Sequence, residues 1–202
     1  MFGKMQMTGK LAIEHHAPQR APWTWRLRNA LRWHYWTGLG AVRLARALSR
    51  VTGFPTLTSD LRVLLTRRDG TCIDYGIVGY RVVTTAFVNF VVDQLQTETS
   101  VFGDFKFHDS GVGVTGENAG DTAIETTDGE SRATGTQTEG AANAYVSVGT
   151  ISYTTTKAIT EHGLFNDATA GTLMDRTVFA AVNVVNGDSI QFTYTLTLTA
   201  GS

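Results

Sequence analysis

The stretch Phe192-Thr193-Tyr194-Thr195-Leu196-Thr197-Leu198-Thr199 alternates an apolar residue with a threonine at every step. Successive side chains of a β-strand leave opposite faces of the sheet, so a period of two puts Phe192, Tyr194, Leu196 and Leu198 on one face and the threonines on the other. The pattern predicts a strand with one face on a core and the other meeting solvent or a neighbouring chain.

Working outward, similar strand signals occur at Phe102–Phe107, Ala144–Tyr153, Leu173–Val178 and Ser189–Leu198, separated by turn formers such as Asn186-Gly187-Asp188. Leu61–Leu65 predicts another strand, entering a tight turn at Arg68-Asp69-Gly70-Thr71. Phe87, Val88, Val91, Val92 and Leu95 recur at helical spacing, and Thr84 or Thr85 can cap their start, which predicts a short helix over residues 85–96 packed on the sheet. The β-branched content leaves a strand open there. The expected fold is therefore mainly β: an antiparallel β-sandwich with a short packed helix and an N-terminal helical arm.

That arm is the segment from Trp23 to Val51, rich in good helix formers with arginines interleaved among Leu, Ala and aromatics. Pro22 suits a first helical position, and Gly38 and Gly40 predict a division into two helices or a bend. The character changes around Gly53-Phe54-Pro55, so residues 1–55 form a basic Trp/Arg-rich arm and residues 56–202 a β-sandwich body. Charge follows the same division: residues 1–70 carry twelve Lys+Arg against three acids, and residues 71–202 five against fifteen, although the chain's net charge is −1. Within the body, residues 109–143 are polar, small and glycine-rich, with few large apolar side chains to offset the entropy of ordering. They read as a long exposed Gly/Thr-rich loop or as strands ordered by contact with partners.

With 202 residues, 42% of them hydrophobic, the chain can bury a core. Cys72 is its one cysteine, so no intrachain disulfide can form, and its context reads as a buried, inert thiol. No stretch approaches the roughly 20 apolar residues of a membrane span, and the first 20 residues lack an apolar signal-peptide core, so synthesis and assembly in a cytoplasm are expected.

Signals for catalysis are weak. Asp104, Asp109, Glu117, Asp121 and Glu125 supply oxygen ligands for a hard cation, but without EF-hand spacing they read as solvated loop acids. His15-His16 do not form a helical metal pair. His108-Asp109-Ser110 combines three triad residue types, yet neighbours on one backbone do not by themselves supply a nucleophile, base and orienter; a strand running into a turn is the expectation. The glycines near Gly111 complete no phosphate-binding loop. No enzyme activity, metal or cofactor is expected.

The arm is more informative. Trp23, Trp25, Trp33 and Trp36 with Arg26, Arg28, Arg32, Arg43, Arg46 and Arg50 suit an acidic protein surface, nucleic acid or an anionic membrane. Trp and Arg are the types that anchor protein interfaces, which favours docking on neighbouring subunits over packing on the chain's own body.

Ile159-Thr160-Glu161-His162-Gly163-Leu164-Phe165, followed by Gly171-Thr172-Leu173-Met174-Asp175-Arg176-Thr177-Val178-Phe179, resembles a pattern of small structural proteins of tailed bacteriophages, including tail-collar and fibre-associated proteins. The resemblance continues through Val184–Leu198, with Gly187-Asp188-Ser189-Ile190, Tyr194 and Leu196. It covers residues 82–200, is most specific over 157–198, and implies a β-rich virion module without a catalytic role. The arm carries no pattern of that family. In the motif, Glu161 before a turn at Gly163 can accept a backbone N–H or pair with Arg176, while Leu164 and Phe165 supply apolar bulk.

These readings together predict a structural virion protein, assembled in the host cytoplasm: a capsid decoration, neck or collar component that docks on capsid, portal, neck or tail subunits and is itself a homo-oligomer. The alternative is a tail-fibre-associated host-recognition module that touches its receptor through residues 109–143. Nucleic-acid or membrane contact by the arm ranks below protein contact.

Overall fold

The computed structural model describes residues 17–52, 54–80, 82–96, 104–141 and 143–200. In chain order its elements are β1 (Gln19–Arg20), α1 (Trp23–Ala30), α2 (Trp33–Thr52), β2 (Thr56–Thr66), β3 (Cys72–Tyr80), β4 (Val82–Val83), α3 (Thr85–Gln96), β5 (Phe107–Gly111), β6 (Ala133–Thr134), β7 (Thr136–Glu139), β8 (Ala144–Ser152), β9 (Lys157–Phe165), β10 (Leu173–Val184) and β11 (Ser189–Thr199). The strands form two sheets, one ordered β1-β3-β2-β11-β8-β7 and the other β4-β10-β9-β5-β6. Every pairing is antiparallel except that of β1 with β3.

The alternating stretch is the centre of this architecture. β11 pairs on both sides, with Ser189 opposite Thr66 of β2 and Ser152 of β8. Its inward residues Ile190, Phe192, Tyr194 and Leu196 are buried, as are Leu61, Val63 and Leu65 of β2 beside them. The opposite sheet meets them with Ile159 and Leu164 of β9 and Phe179, Val182 and Val184 of β10. Burying a side chain of this size is worth about 1.5–3 kcal/mol relative to leaving it exposed, so the sandwich rests on this two-sided core. Leu198 keeps the expected face but is exposed, since β11 there runs beyond the core.

The helix expected over residues 85–96 is α3. Thr84 Oγ1 accepts from Phe87 N at 3.1 Å and caps it, and the rings of Phe87 and Phe90 meet Phe105 edge-on at 5.1 Å between centroids. The strand expected at Phe102–Phe107 is instead Phe107–Gly111; Phe102 and Gly103 lie outside the described residues, and 104–106 are not strand. The strand expected at Leu173–Val178 continues to Val184 through a register shift between Val178 and Val182.

The arm divides at a different place from the one its glycines predict. The break falls at Leu31-Arg32, where Leu31 N donates to Leu27 O and Tyr35 N to Arg32 O, while Gly38 and Gly40 lie inside α2. Gly38 serves close approach rather than bending: a Cβ there would stand 2.7 Å from Tyr80 O, so only glycine lets α2 cross the end of β3 at this distance. Pro22 takes the N-cap position, one residue earlier than expected. Cys72 is half-buried rather than buried, with Sγ 3.7 Å from Thr66 Oγ1.

Candidate docking interface

The register shift in β10 leaves backbone groups that the ladder to β9 does not pair, and α1 takes them up. Trp25 Nε1 donates to Ala180 O at 3.0 Å and Ala181 O at 2.9 Å, and Arg32 Nη1 donates to Phe179 O at 3.3 Å. Asn29, buried, accepts from Ala180 N at 3.0 Å through Oδ1 and donates to Val78 O at 2.9 Å through Nδ2. Its amide therefore ties β10 of one sheet to β3 of the other. The Trp25 ring also meets Tyr75 edge-on at 4.6 Å. Burial pulls the Arg32 guanidinium below its ordinary pKa, and the Glu117 carboxylate opposes that shift. Trp25 and Arg32, expected to anchor a neighbour, are thus committed to the chain's own body.

After Tyr35, whose ring meets that of Tyr80 at 5.8 Å, the body-facing side of α2 is made of small side chains. Val42 and Ser49 are buried, and Gly38 and Ala45, on the same helical face, are half-buried. The large apolar residues Trp36, Leu44, Leu48 and Val51 point the other way, Val51 being 85% exposed. α1 repeats the arrangement, since Trp23, Leu27 and Leu31 recur at i, i+4 and i+8 and are exposed, Trp23 at 74%. A helix on a globular body normally turns its large apolar face inward. Here the two helices seat through Trp25, Tyr35 and a set of small and polar residues, and present most of their large apolar side chains outward. Arg26, Arg28, Arg43, Arg46 and Arg50 are exposed on the same helices. Trp33 opens α2, and its side chain lies outside the description.

The residues Glu161, Gly163, Leu164, Phe165 and Arg176 come together, but as the anchor of the long loop rather than as a turn. Gly163 lies within β9 opposite Arg176 of β10, which corrects the expected turn. Leu164 and Phe165 are buried, and the Arg132 guanidinium stacks on the Phe165 ring at 3.5 Å. Glu161 is fully buried and realises both of its expected roles. Oε1 accepts from Gly113 N at 2.9 Å and Thr126 N at 2.8 Å, and Oε2 from Glu125 N at 3.0 Å and Arg176 Nε at 2.8 Å. Arg176 also donates to Asp121 Oδ2 at 3.0 Å, Thr115 O at 3.2 Å and Glu125 Oε2 at 3.3 Å. Burial lowers the guanidinium's pKa, but its bonds to Asp121 and Glu161 outweigh that and raise it. A Cβ on Gly113 would collide with the Glu161 carboxylate, so glycine is needed for this loop to reach its anchor. The loop is therefore ordered by polar groups of its own chain.

The triad residue types separate. His108 Nδ1 lies 3.0 Å from His162 Nε2, and its Nε2 lies 2.8 Å from Ser147 Oγ, all three residues being buried. Asp109 instead accepts from Arg132 Nε at 2.9 Å, and Ser110 bonds Asp128 and Tyr153. Burial lowers the His108 pKa to about 3 and keeps the ring neutral. Four of the five acids considered for a cation pair with cations of the chain itself: Asp104 with Lys106, Asp109 with Arg132, and Asp121 and Glu125 with Arg176; the fifth, Glu117, acts electrostatically on Arg32. Among the described residues no group of three or more His, Cys, Asp or Glu side chains is placed to hold a metal, and His15-His16 lie outside them. No described helix is long and apolar enough to cross a membrane.

The outward residues Leu27, Leu31, Leu44, Leu48 and Val51, and the clamp residue Asn29, are what a reading focused on Trp and Arg passes over. The four-residue spacing of Trp23, Leu27 and Leu31 was a visible signal for the first group; Asn29 carried none. No protein-family model, curated protein or solved structure matches this chain, so its candidate interface rests on its own geometry.

Proposed function

We propose that this chain is a structural protein of a tailed-phage virion, a decoration, neck or collar component that works in several copies and docks through the outward faces of α1 and α2. The observation that carries the reading is the inverted seating of these helices, with Gly38, Val42, Ala45 and Ser49 toward the body and Trp36, Leu44, Leu48 and Val51 away from it. A contiguous exposed apolar surface flanked by arginines is characteristic of a protein contact surface. The resemblance of residues 157–198 to tailed-phage structural proteins supplies the setting. The tail-fibre alternative draws less support, because its proposed recognition loop is fastened at its base to Glu161 and Arg176.

The test is incorporation into particles. Antibody against the full chain is expected to label purified virions at the head or neck, and a Leu44→Ser/Leu48→Ser chain to fold yet be lost from them. Label confined to fibre tips favours the host-recognition alternative. Absence of the wild-type chain from purified particles refutes the virion reading.

A further inference from the structure

Along the seam of α1 with β3 lies a cleft of about 470 Å³. Its walls are aromatic: Trp25 of α1, Tyr35 of α2, and Tyr75 and Tyr80 of β3, all half-buried. The rings of Trp25 and Tyr75 meet at 4.6 Å and those of Tyr35 and Tyr80 at 5.8 Å, so the four stand as two pairs. The phenol hydroxyls of Tyr35, Tyr75 and Tyr80 make no hydrogen bond to another described residue. Burial raises the pKa of Tyr75 and Tyr80, which keeps both protonated and able to donate.

The cleft is positively charged. Arg20 and Arg26 line it and are exposed. Asp74 also lines it, but its carboxylate accepts from Arg62 Nη2 at 2.5 Å and from Gly76 N at 2.8 Å, so its charge is already met. Around Tyr80 the field of Asp60 is set against those of Arg43 and Arg46. A fitting occupant brings a flat face for the aromatic walls, polar groups for the phenol hydroxyls and an anion for the guanidiniums. An acidic sugar has all three: C–H groups that lie against the negative faces of aromatic rings, hydroxyls, and a carboxylate or phosphate that arginine grips with two parallel bonds. A nucleobase fits less well, because the amide that could read its edge, Asn29, is spent on Val78 O and Ala180 N.

We propose that the cleft between α1 and β3 binds an acidic saccharide unit, with the sugar ring among the four aromatic side chains and its anion on Arg20 and Arg26. The volume lies within the range of small-ligand sites, about 300–1,000 Å³. The site is separate from the loop at residues 109–143 and from the outward faces of α1 and α2, so it stands independently of the virion reading. Where the chain works in several copies, repetition turns weak binding at each cleft into adhesion to an acidic polymer.

Titration of the full-length chain tests it, without particles. Trigalacturonate, sialyllactose and mannose phosphate are compared with their neutral counterparts by ligand-observed NMR at physiological salt, beside oligothymidylate and polyglutamate. At least one acidic sugar is expected to bind, and to bind at least about tenfold more tightly than its neutral counterpart. Arg20→Gln/Arg26→Gln is expected to lose at least about tenfold of that affinity. Arg28→Gln/Arg50→Gln removes the same charge from the arm outside the cleft and is expected to stay within about twofold, since exposed charges beyond a Debye length are screened. Both pairs are exposed, and unchanged melting temperatures are the check that the variants fold. If no acidic sugar binds below about 10 mM, the cleft is not a saccharide site. Equal losses in the two double variants overturn it as well, by assigning the binding to diffuse charge. So does tighter binding of oligothymidylate or polyglutamate, which would point to nucleic acid or an acidic protein segment instead.

Discussion

Two regions cover the sandwich, and they are held in opposite ways. The loop over residues 112–126 has almost nothing apolar to bury, yet it is tied at many points to a buried Glu161 and to Arg176. The helices α1 and α2 are rich in large apolar residues, yet they attach through Asn29, Trp25, Arg32, Tyr35 and a row of small side chains while most of the large aliphatic ones face out. Composition therefore misleads in both directions. A polar segment can be ordered by a buried charge pair, and an apolar one can be anchored by its polar residues while its hydrophobic surface stays available.

The sharpest way to break the comparison is to remove the loop's anchor. Arg176→Met leaves Glu161 buried and charged without its cation, a change that typically costs about 3–5 kcal/mol. Chemical denaturation is expected to show a loss of that size, and amide exchange over residues 112–126 to rise well above that of α1. A loss below about 1 kcal/mol, with the loop still protected, would mean that backbone amides alone hold Glu161.

Acid provides a second separation, because β5, the strand that leads into the loop, carries the buried His108, which meets His162 of β9. His108 is held at a pKa of about 3, below the ordinary histidine value near 6.5, so on acidification the unfolded chain takes up this proton first. Its neutral form therefore costs the fold nothing above about pH 6.5, and stability falls between about 6.5 and 3, at most by about 1.4 kcal/mol per pH unit from this residue. Stability measured from pH 7 to 4 is expected to fall less steeply in His108→Gln than in the wild type. Parallel slopes in the two proteins would assign the acid sensitivity to other groups.

The fold was legible where one periodicity acts alone. The alternation at Phe192–Thr199 marked the central strand, and the apolar spacing from Phe87 to Leu95 marked α3. It was illegible where tertiary contact decides. Gly38 reads in sequence as a helix breaker, and only the proximity of Tyr80 O makes it a crossing point. Gly163 reads as a turn and lies in a strand, because its neighbours Leu164 and Phe165 are drawn into the core. In the motif, the Glu161-Arg176 pair was foreseeable from two complementary side chains, whereas the loop amides that share Glu161 come from residues 35 to 48 positions away, beyond any local pattern. The arm's outward face was half visible: the tryptophans and arginines drew attention, but two of them, Trp25 and Arg32, serve the inside.

The finest discrimination lies within a single helix, between Asn29 and Leu27. Hydropathy alone ranks Leu27 as the residue α1 needs, but it is exposed, while Asn29 is buried with both ends of its amide engaged, on Val78 O and Ala180 N. Asn29→Ala strips a partner from each of two backbone groups and is expected to cost about 1–3 kcal/mol, since a buried group left unsatisfied loses its hydration without replacement. Leu27→Ala removes surface that already faces water and is expected to stay within about 0.5 kcal/mol. Thermal denaturation of the two variants decides the order. If Leu27→Ala proves the more damaging, α1 rests on its apolar face after all, and that face is then not free to meet another subunit.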